Sequence, residues 1–192
     1  MVEQGIPQCW LAPGAPPLEV DFGCHRGAFL TGMASAFPSR NFLGIEKQSA
    51  RVEICNKRFV RLGLANAFAI RGEGGQALKE FLPDASASIL HVSFPDPWPK
   101  RRHERRRVVT SGFLAEAARV LRPGGVLRLM TDDAAYFEQM RNLAAGGWVE
   151  ILWDDGIERP ATTFEKTFLA LGKPPFRCAL RPALQLPVRE RA

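Results

Sequence analysis

The sequence predicts an α/β protein: a doubly wound, mostly parallel, seven-stranded Rossmann-like sheet that ends in an antiparallel hairpin. Three observations predict it. Short apolar runs recur from Leu18 onward, amphipathic helical stripes separate them, and the alternation stops after Gly146-Gly147. The runs Leu18 to Phe22, Phe42 to Ile45, Phe68 to Ile70, Ile89 to Val92 and Val126 to Met130 are brief and bounded by Gly, Pro or charge, as strands buried on both faces are. Trp148 to Trp153 and Phe176 to Leu180 read as the two late strands. The long, irregular segment between them leaves no crossover helix, so they pair as a hairpin at the sheet edge.

Helices fill the gaps. Ser49 is expected to cap one that runs to about Leu62, with Val52, Cys55, Phe59 and Leu62 inward and Arg51, Lys57, Arg58 and Arg61 elsewhere. A second begins near Ser111, buries Phe113, Leu114, Ala117, Val120 and Leu121, and stops at Arg122-Pro123-Gly124-Gly125. A third follows Asp132 and Asp133, with Tyr136, Phe137 and Met140 on its apolar stripe. Strict alternation of strand and helix implies right-handed crossovers and a ligand site at the C-terminal edge of the strands. The expected organisation is a short N-terminal extension (1–17), one domain (18–185) and a frayed C-terminal tail (186–192).

Four cysteines without a Cys-x-x-Cys pair, and only three histidines, suggest neither a disulfide framework nor a metal site. A reducing cytoplasm fits, and no apolar run approaches the roughly 18 residues of a membrane span. The charge is uneven. Lys+Arg exceed Asp+Glu by 26 to 20, yet Lys100 to Arg107 alone carries six cations and one acid. Focusing of that kind favours a phosphate-rich partner.

Two constellations carry chemistry. The first is the strand Leu18 to Phe22, which runs through Gly23 and Gly27 into a helix, with Glu46 closing the second strand. Glycines let backbone approach a ligand and a strand-end acid accepts bonds from ribose hydroxyls, so this is the geometry of an adenosine site. His25 replaces the middle glycine of the dinucleotide fingerprint, which argues against NAD. A turn with two glycines recurs in most α/β folds, but Asp21, Glu46 and Glu73 on one edge suit a ligand bearing hydroxyls, an amine and a positive centre. The second is Phe94-Pro-Asp-Pro-Trp-Pro-Lys100, in which three prolines are expected to give a rigid, extended loop that holds Asp96 and Trp98 in fixed directions before the basic run. Trp98 reads equally as a base-stacking group or a packing wedge. His91 and His103 read as structural or solvent-facing.

Phe94-Pro-Asp-Pro-Trp-Pro-Lys with the following Arg-His-x-x-Arg-Arg, Thr131-Asp132, and Arg159-Pro-Ala-Thr-Thr-Phe-Glu165 together resemble the bacterial tRNA (guanine-N7)-methyltransferases over roughly residues 18 to 180. The resemblance implies a class I methyltransferase sheet, S-adenosyl-L-methionine as cofactor and a guanine of the tRNA variable loop as substrate. It implies that Asp21, Glu46, Glu73 and Asp96 hold the cofactor, beside Gly23 and Gly27 of the first turn, and that Asp96 is the catalytic acid. Lys100, Asp132, Thr162, Thr163, Phe164 and Glu165 fall on substrate positions, with Arg105 and Arg106 of the basic run read as phosphate contacts, although Thr162-x-x-Glu165 also spells a helix cap. The chain departs from the family at His25 and Glu73, and residues 1–17 carry no basic residue. No metal and no membrane are expected, and oligomeric state is left open. Two other readings share parts of this pattern: a small-molecule methyltransferase, which leaves the basic run unexplained, and a non-catalytic RNA-binding descendant, which loses the cofactor.

Overall fold

A computed structural model describes residues 5–183; the expected tail at 186–192 lies outside them. Its strands are β1 (Leu18–Phe22), β2 (Asn41–Glu46), β3 (Ala67–Arg71), β4 (Ala87–Ser93), β5 (Leu121–Thr131), β6 (Trp148–Ile151) and β7 (Phe176–Pro182). They form one seven-stranded sheet in the order β3-β2-β1-β4-β5-β7-β6. The first five strands pair in parallel, while β7 runs antiparallel to both β5 and β6. The predicted hairpin therefore forms the sheet edge, with β6 outermost.

Helices α1 (Ala28–Ala36) and α2 (Ser49–Arg61) cover one face, where Leu30, Met33, Cys55 and Phe59 pack with Phe42, Ala67 and Ala69. Helices α3 (Gly74–Phe81), α4 (Ser111–Val120) and α5 (Ala134–Ala144) cover the other, around Val20, Leu43, Leu90, Leu129, Phe113 and Tyr136. Burial on both faces explains why the central strands read as continuous apolar runs. Ile6 and Trp10, before β1, join the larger core.

Several local details differ from expectation. Ser49 is the first residue of α2 rather than its cap, because Gln48 takes that place without a side-chain bond. The segment after β6 is not wholly irregular: α6 (Thr163–Ala170) sits within it, opened by a reciprocal capping box between Thr162 and Glu165. The proline loop is not extended throughout either. Phe94 and Trp98 take φ of 52° and 42°, and Arg101–Arg106 forms a 3-10 helix. Both positive-φ residues are non-glycine and sit beside Asp96, the kind of local strain that surrounding structure must hold in place.

Candidate cofactor and RNA site

The C-terminal ends of β1 and β2 meet at two buried carboxyls. Glu46 is 3% exposed and already organises the turn, accepting the His25 N–H at 3.2 Å and the Gln48 N–H at 3.0 Å, with Arg51 at 3.7 Å. A carboxylate offers about four lone-pair directions, so capacity remains for ribose hydroxyls. Asp21 differs. It is 5% exposed and its carboxyl makes no hydrogen bond to any described residue. Burial, then the neighbouring Glu46, pushes its pKa up to about 8. A buried acid left unbonded at this edge fits a ligand that brings donors and positive charge, so the residues present suit S-adenosylmethionine.

The turn from Gly23 to Gly27 passes beside these acids. Gly27 has φ of 70°, and a Cβ there would lie 3.0 Å from the Cys55 sulfur. His25, at φ 52°, takes the same left-handed region with a side chain, which L-residues adopt at a cost. Its ring is exposed, and burial of part of it, then Arg51, lowers its pKa. Glu73 stands exposed at the N-cap of α3 on the same edge.

Asp96 is 67% exposed at the tip of the proline loop, with the Lys47 ammonium 3.6 Å away. The loop is braced from behind by Arg107, which donates to the Pro97 carbonyl at 2.7 Å, bonds Gln139 and lies 4.9 Å over the Tyr136 ring. The Tyr136 hydroxyl in turn accepts the Val109 N–H. Arg107 was expected among the phosphate-binding cations; its side chain is only 10% exposed and is occupied holding the loop. Lys100, Arg105 and Arg106 remain exposed, and Arg106 lies 5.0 Å over the Trp98 ring. Trp98 is half-buried beneath Arg106 and His103, so it packs the basic segment against the loop.

On the other side of the loop, Phe94 stacks on Phe168 at 5.4 Å and lies 5.8 Å from Phe164, which ties the loop to α6. Phe164 is 54% exposed and Thr163 is exposed beside it. Thr162 and Glu165 cap α6 and also line a cavity of about 240 Å³ with Ser93, His91, Arg128 and Met130. Asp133 is spent capping α5 through the Tyr136 N–H, which leaves Asp132 exposed at the end of β5. Ser93, just before the loop, lines this cavity with Thr162 and Glu165, and Asp96 on the loop meets Lys47, the residue after Glu46.

A polar network beneath the cavity was not foreseen. Glu19, His91 and Arg128 lie buried on one face of adjacent strands. His91 Nε2 and the Arg40 guanidinium meet Glu19 at 2.8 and 2.6 Å. Burial lowers the His91 pKa and keeps the ring neutral, so it donates Nε2–H; for Glu19, burial is outweighed by the bonds from His91 and Arg40 and its pKa falls. Arg128 lies 4.0 Å over Trp153 and 3.5 Å from Asp155, which Arg159 grips through two bonds of 2.7 Å. The Arg159 guanidinium drives the Asp155 pKa down to about 2. Pro160 then packs on α1 at Gly32, where a Cβ would come within 2.9 Å of the proline ring. These contacts pin the segment that leads into Thr162. The available signal was three charged or polar residues interrupting strands otherwise read as wholly apolar.

Comparison with known proteins agrees with this geometry. A family model described as a putative methyltransferase matches residues 15–178. The tRNA (guanine-N(7)-)-methyltransferase of Limosilactobacillus fermentum is 36% identical over 169 residues, covering 84% of this chain and 78% of that protein. The enzyme of the same name from Levilactobacillus brevis is 36% identical, covering 83% and 78%. Among solved structures, an rRNA methylase from Streptococcus thermophilus aligns with a TM-score of 0.58 at 15% identity, covering 88% of this chain and 89% of that one. The aminoglycoside resistance methyltransferase NpmB1 aligns at 0.60 and 17% identity, covering 89% of each chain. At that identity the structures speak to fold alone, whereas the sequence relatives cover most of the chain, and with the family model they show that it belongs to the tRNA (guanine-N7)-methyltransferase family.

Proposed function

We propose that this chain transfers a methyl group from S-adenosyl-L-methionine to N7 of a guanine in the variable loop of tRNA. The observation that carries the reading is the juxtaposition of a buried, unbonded acid edge with an exposed carboxylate on the loop that opens into the basic helix. When bound, S-adenosylmethionine supplies a methyl on a positively charged sulfur. Asp21 and Glu46 would meet its amine, ribose and charge, and Glu73 would extend that edge.

Guanine N7 carries a free lone pair, so attack requires alignment and no prior loss of a proton. As the N7–C bond forms and the sulfur–C bond breaks, positive charge passes to the base. Asp96, accepting from the guanine N1–H and N2 amino edge, stabilises that charge more in the transition state than before it. Its exposure in the free protein leaves it available, with Lys47 the group that an incoming base must displace. Lys100, Arg105 and Arg106 would bind tRNA phosphates, and Asp132 with Thr162, Thr163, Phe164 and Glu165 would border the target nucleotide.

Incubation with tritiated S-adenosylmethionine and either unmodified tRNA or a panel of small amines and catechols tests the reading. Label in tRNA alone supports it. Label in a small acceptor would favour a small-molecule enzyme, and failure of the cofactor to bind in a calorimetric titration would favour a non-catalytic RNA-binding protein.

A further inference from the structure

Helix α2 carries four cations and one acid, and the cations are not distributed evenly around it. At about 100° per residue, Arg51, Arg58 and Arg61 fall within about 80° of one another, flanking the inward stripe of Val52, Cys55 and Phe59. Glu53 lies on the far side and pairs with Lys57 at 3.7 Å. Arg58 donates to the Arg26 carbonyl at 2.8 Å, which brings exposed Arg26 alongside the stripe. Neither Arg26 nor Arg61 makes an ion pair with a described residue. Lys47, just before α2, reaches Asp96 and so joins the stripe to the loop that leads into Lys100–Arg106.

The helix dipole accounts for part of this pattern only. Cations at the C-terminal turn are stabilising, which suits Arg58 and Arg61, but Lys47 and Arg51 stand at the N-terminal end, where a cation is disfavoured. Arg51 meets Glu46; Lys47 and Arg26 find no such local reason for their charge beyond the Asp96 contact. From Arg51 to Arg61 the stripe is ten residues, about 15 Å, long enough to follow a nucleic-acid backbone past several phosphates.

We infer that the Arg26–Lys47–Arg51–Arg58–Arg61 band, which runs from the turn before α1 and the residues before α2 along α2 itself, is a second phosphate-contact surface, which holds the body of the tRNA while the basic 3-10 helix holds the region around the target. The band rests on the tRNA reading above and adds a surface that reading does not use. A continuous cationic path from the loop of Asp96 across α2 places the RNA backbone over the rim of the cofactor turn, so the tRNA body docks on the α1–α2 face of the sheet rather than on the α3–α5 face.

The test is the salt dependence of tRNA binding to Arg61→Gln, an exposed band position at the end of α2 remote from Asp21, Glu46 and Asp96. The slope of log affinity against log salt should flatten by about one unit, roughly one per phosphate contact removed. Binding should weaken about three- to tenfold at low salt, while S-adenosylmethionine affinity and the circular dichroism spectrum stay as in wild type. A short hairpin with the target loop alone should be bound equally by both proteins. An unchanged slope in this variant, together with a flattened one in Arg105→Gln/Arg106→Gln, would overturn the second surface and leave the tRNA reading standing. Absence of salt-dependent tRNA binding by wild type would overturn the tRNA reading itself. Loss of binding to anionic lipid vesicles with tRNA affinity unchanged would reassign the band to a membrane surface and also overturn the inference.

Discussion

Cofactor binding should expel a proton from Asp21. In the free protein this carboxyl is buried without a hydrogen-bond partner, faces Glu46 from β2, lies near Cys24 and Cys55, and has a pKa of about 8. At pH 7 it is then about 90% protonated. Arrival of a sulfonium and an ammonium beside it reverses the balance, so about 0.9 proton should leave for each cofactor bound at that pH. The ionised fraction rises from about 0.01 at pH 6 to about 0.5 at pH 8, so affinity should climb up to about 50-fold across that interval. The sign for stability is opposite. The folded pKa lies above the ordinary 3.8, so the free fold is favoured by the proton and loses that contribution as pH climbs from about 4 through about 8. Calorimetric titration in two buffers of different ionisation enthalpy reads the released proton directly. Asp21→Asn should release none, bind with little pH dependence and bind more weakly than wild type at pH 8, and its free form should keep its stability as pH rises. S-adenosylhomocysteine, which lacks the sulfur charge, should expel less proton than the cofactor. Cofactor affinity that is flat from pH 6 to 8, with no buffer-dependent heat, would refute the assignment of Asp21.

Asp96→Ala should lose methyl transfer on the order of 100-fold or more with the fold intact by circular dichroism, and a loss of less than about threefold would remove the role assigned to it. His25→Gly relieves a positive φ of 52° at the expense of extra unfolded-state freedom, so melting should barely move and cofactor affinity should hold or rise; much weaker binding would make the ring a cofactor contact. Arg107→Gln should cost about 1 to 3 kcal/mol and speed hydrogen exchange across 96–109, whereas Arg105→Gln should change tRNA binding only. Asp155→Asn should make the 152–162 segment more susceptible to limited proteolysis at neutral pH. Since the folded Asp155 pKa is depressed to about 2, the wild-type advantage should be present above about pH 4 and disappear as pH falls toward 2, with the two proteins then cut alike.

Much of this architecture was readable because its signals are local. Buried strands such as β4 are short, mostly apolar runs, the stripe of α4 has helical spacing, and Asp133 stands where a helix cap belongs. That Asp21 and Glu46 lie together was readable because they stand at the ends of neighbouring strands. What escaped depends on contacts distant in sequence. Nothing local shows that Arg107 turns inward onto Tyr136, 29 positions later by number, while Arg105 faces solvent. The Glu19–His91 pair joins residues 72 apart through sheet pairing alone. Thr162 and Glu165 could be read as a cap or as substrate contacts; the structure shows that the cap forms at the wall of the cavity, so capping and lining are compatible.

The central claim is methylation of guanine N7 with Asp96 stabilising the charged base. It is tested most directly by a single-turnover reaction of wild type and Asp96→Ala with tritiated S-adenosylmethionine and unmodified tRNA, followed by nucleoside analysis of the labelled RNA. The account predicts label in 7-methylguanosine from one site of the tRNA with wild type, and a rate on the order of 100-fold lower with the variant at saturating cofactor. Label in any other nucleoside, or equal rates from the two proteins, would contradict it.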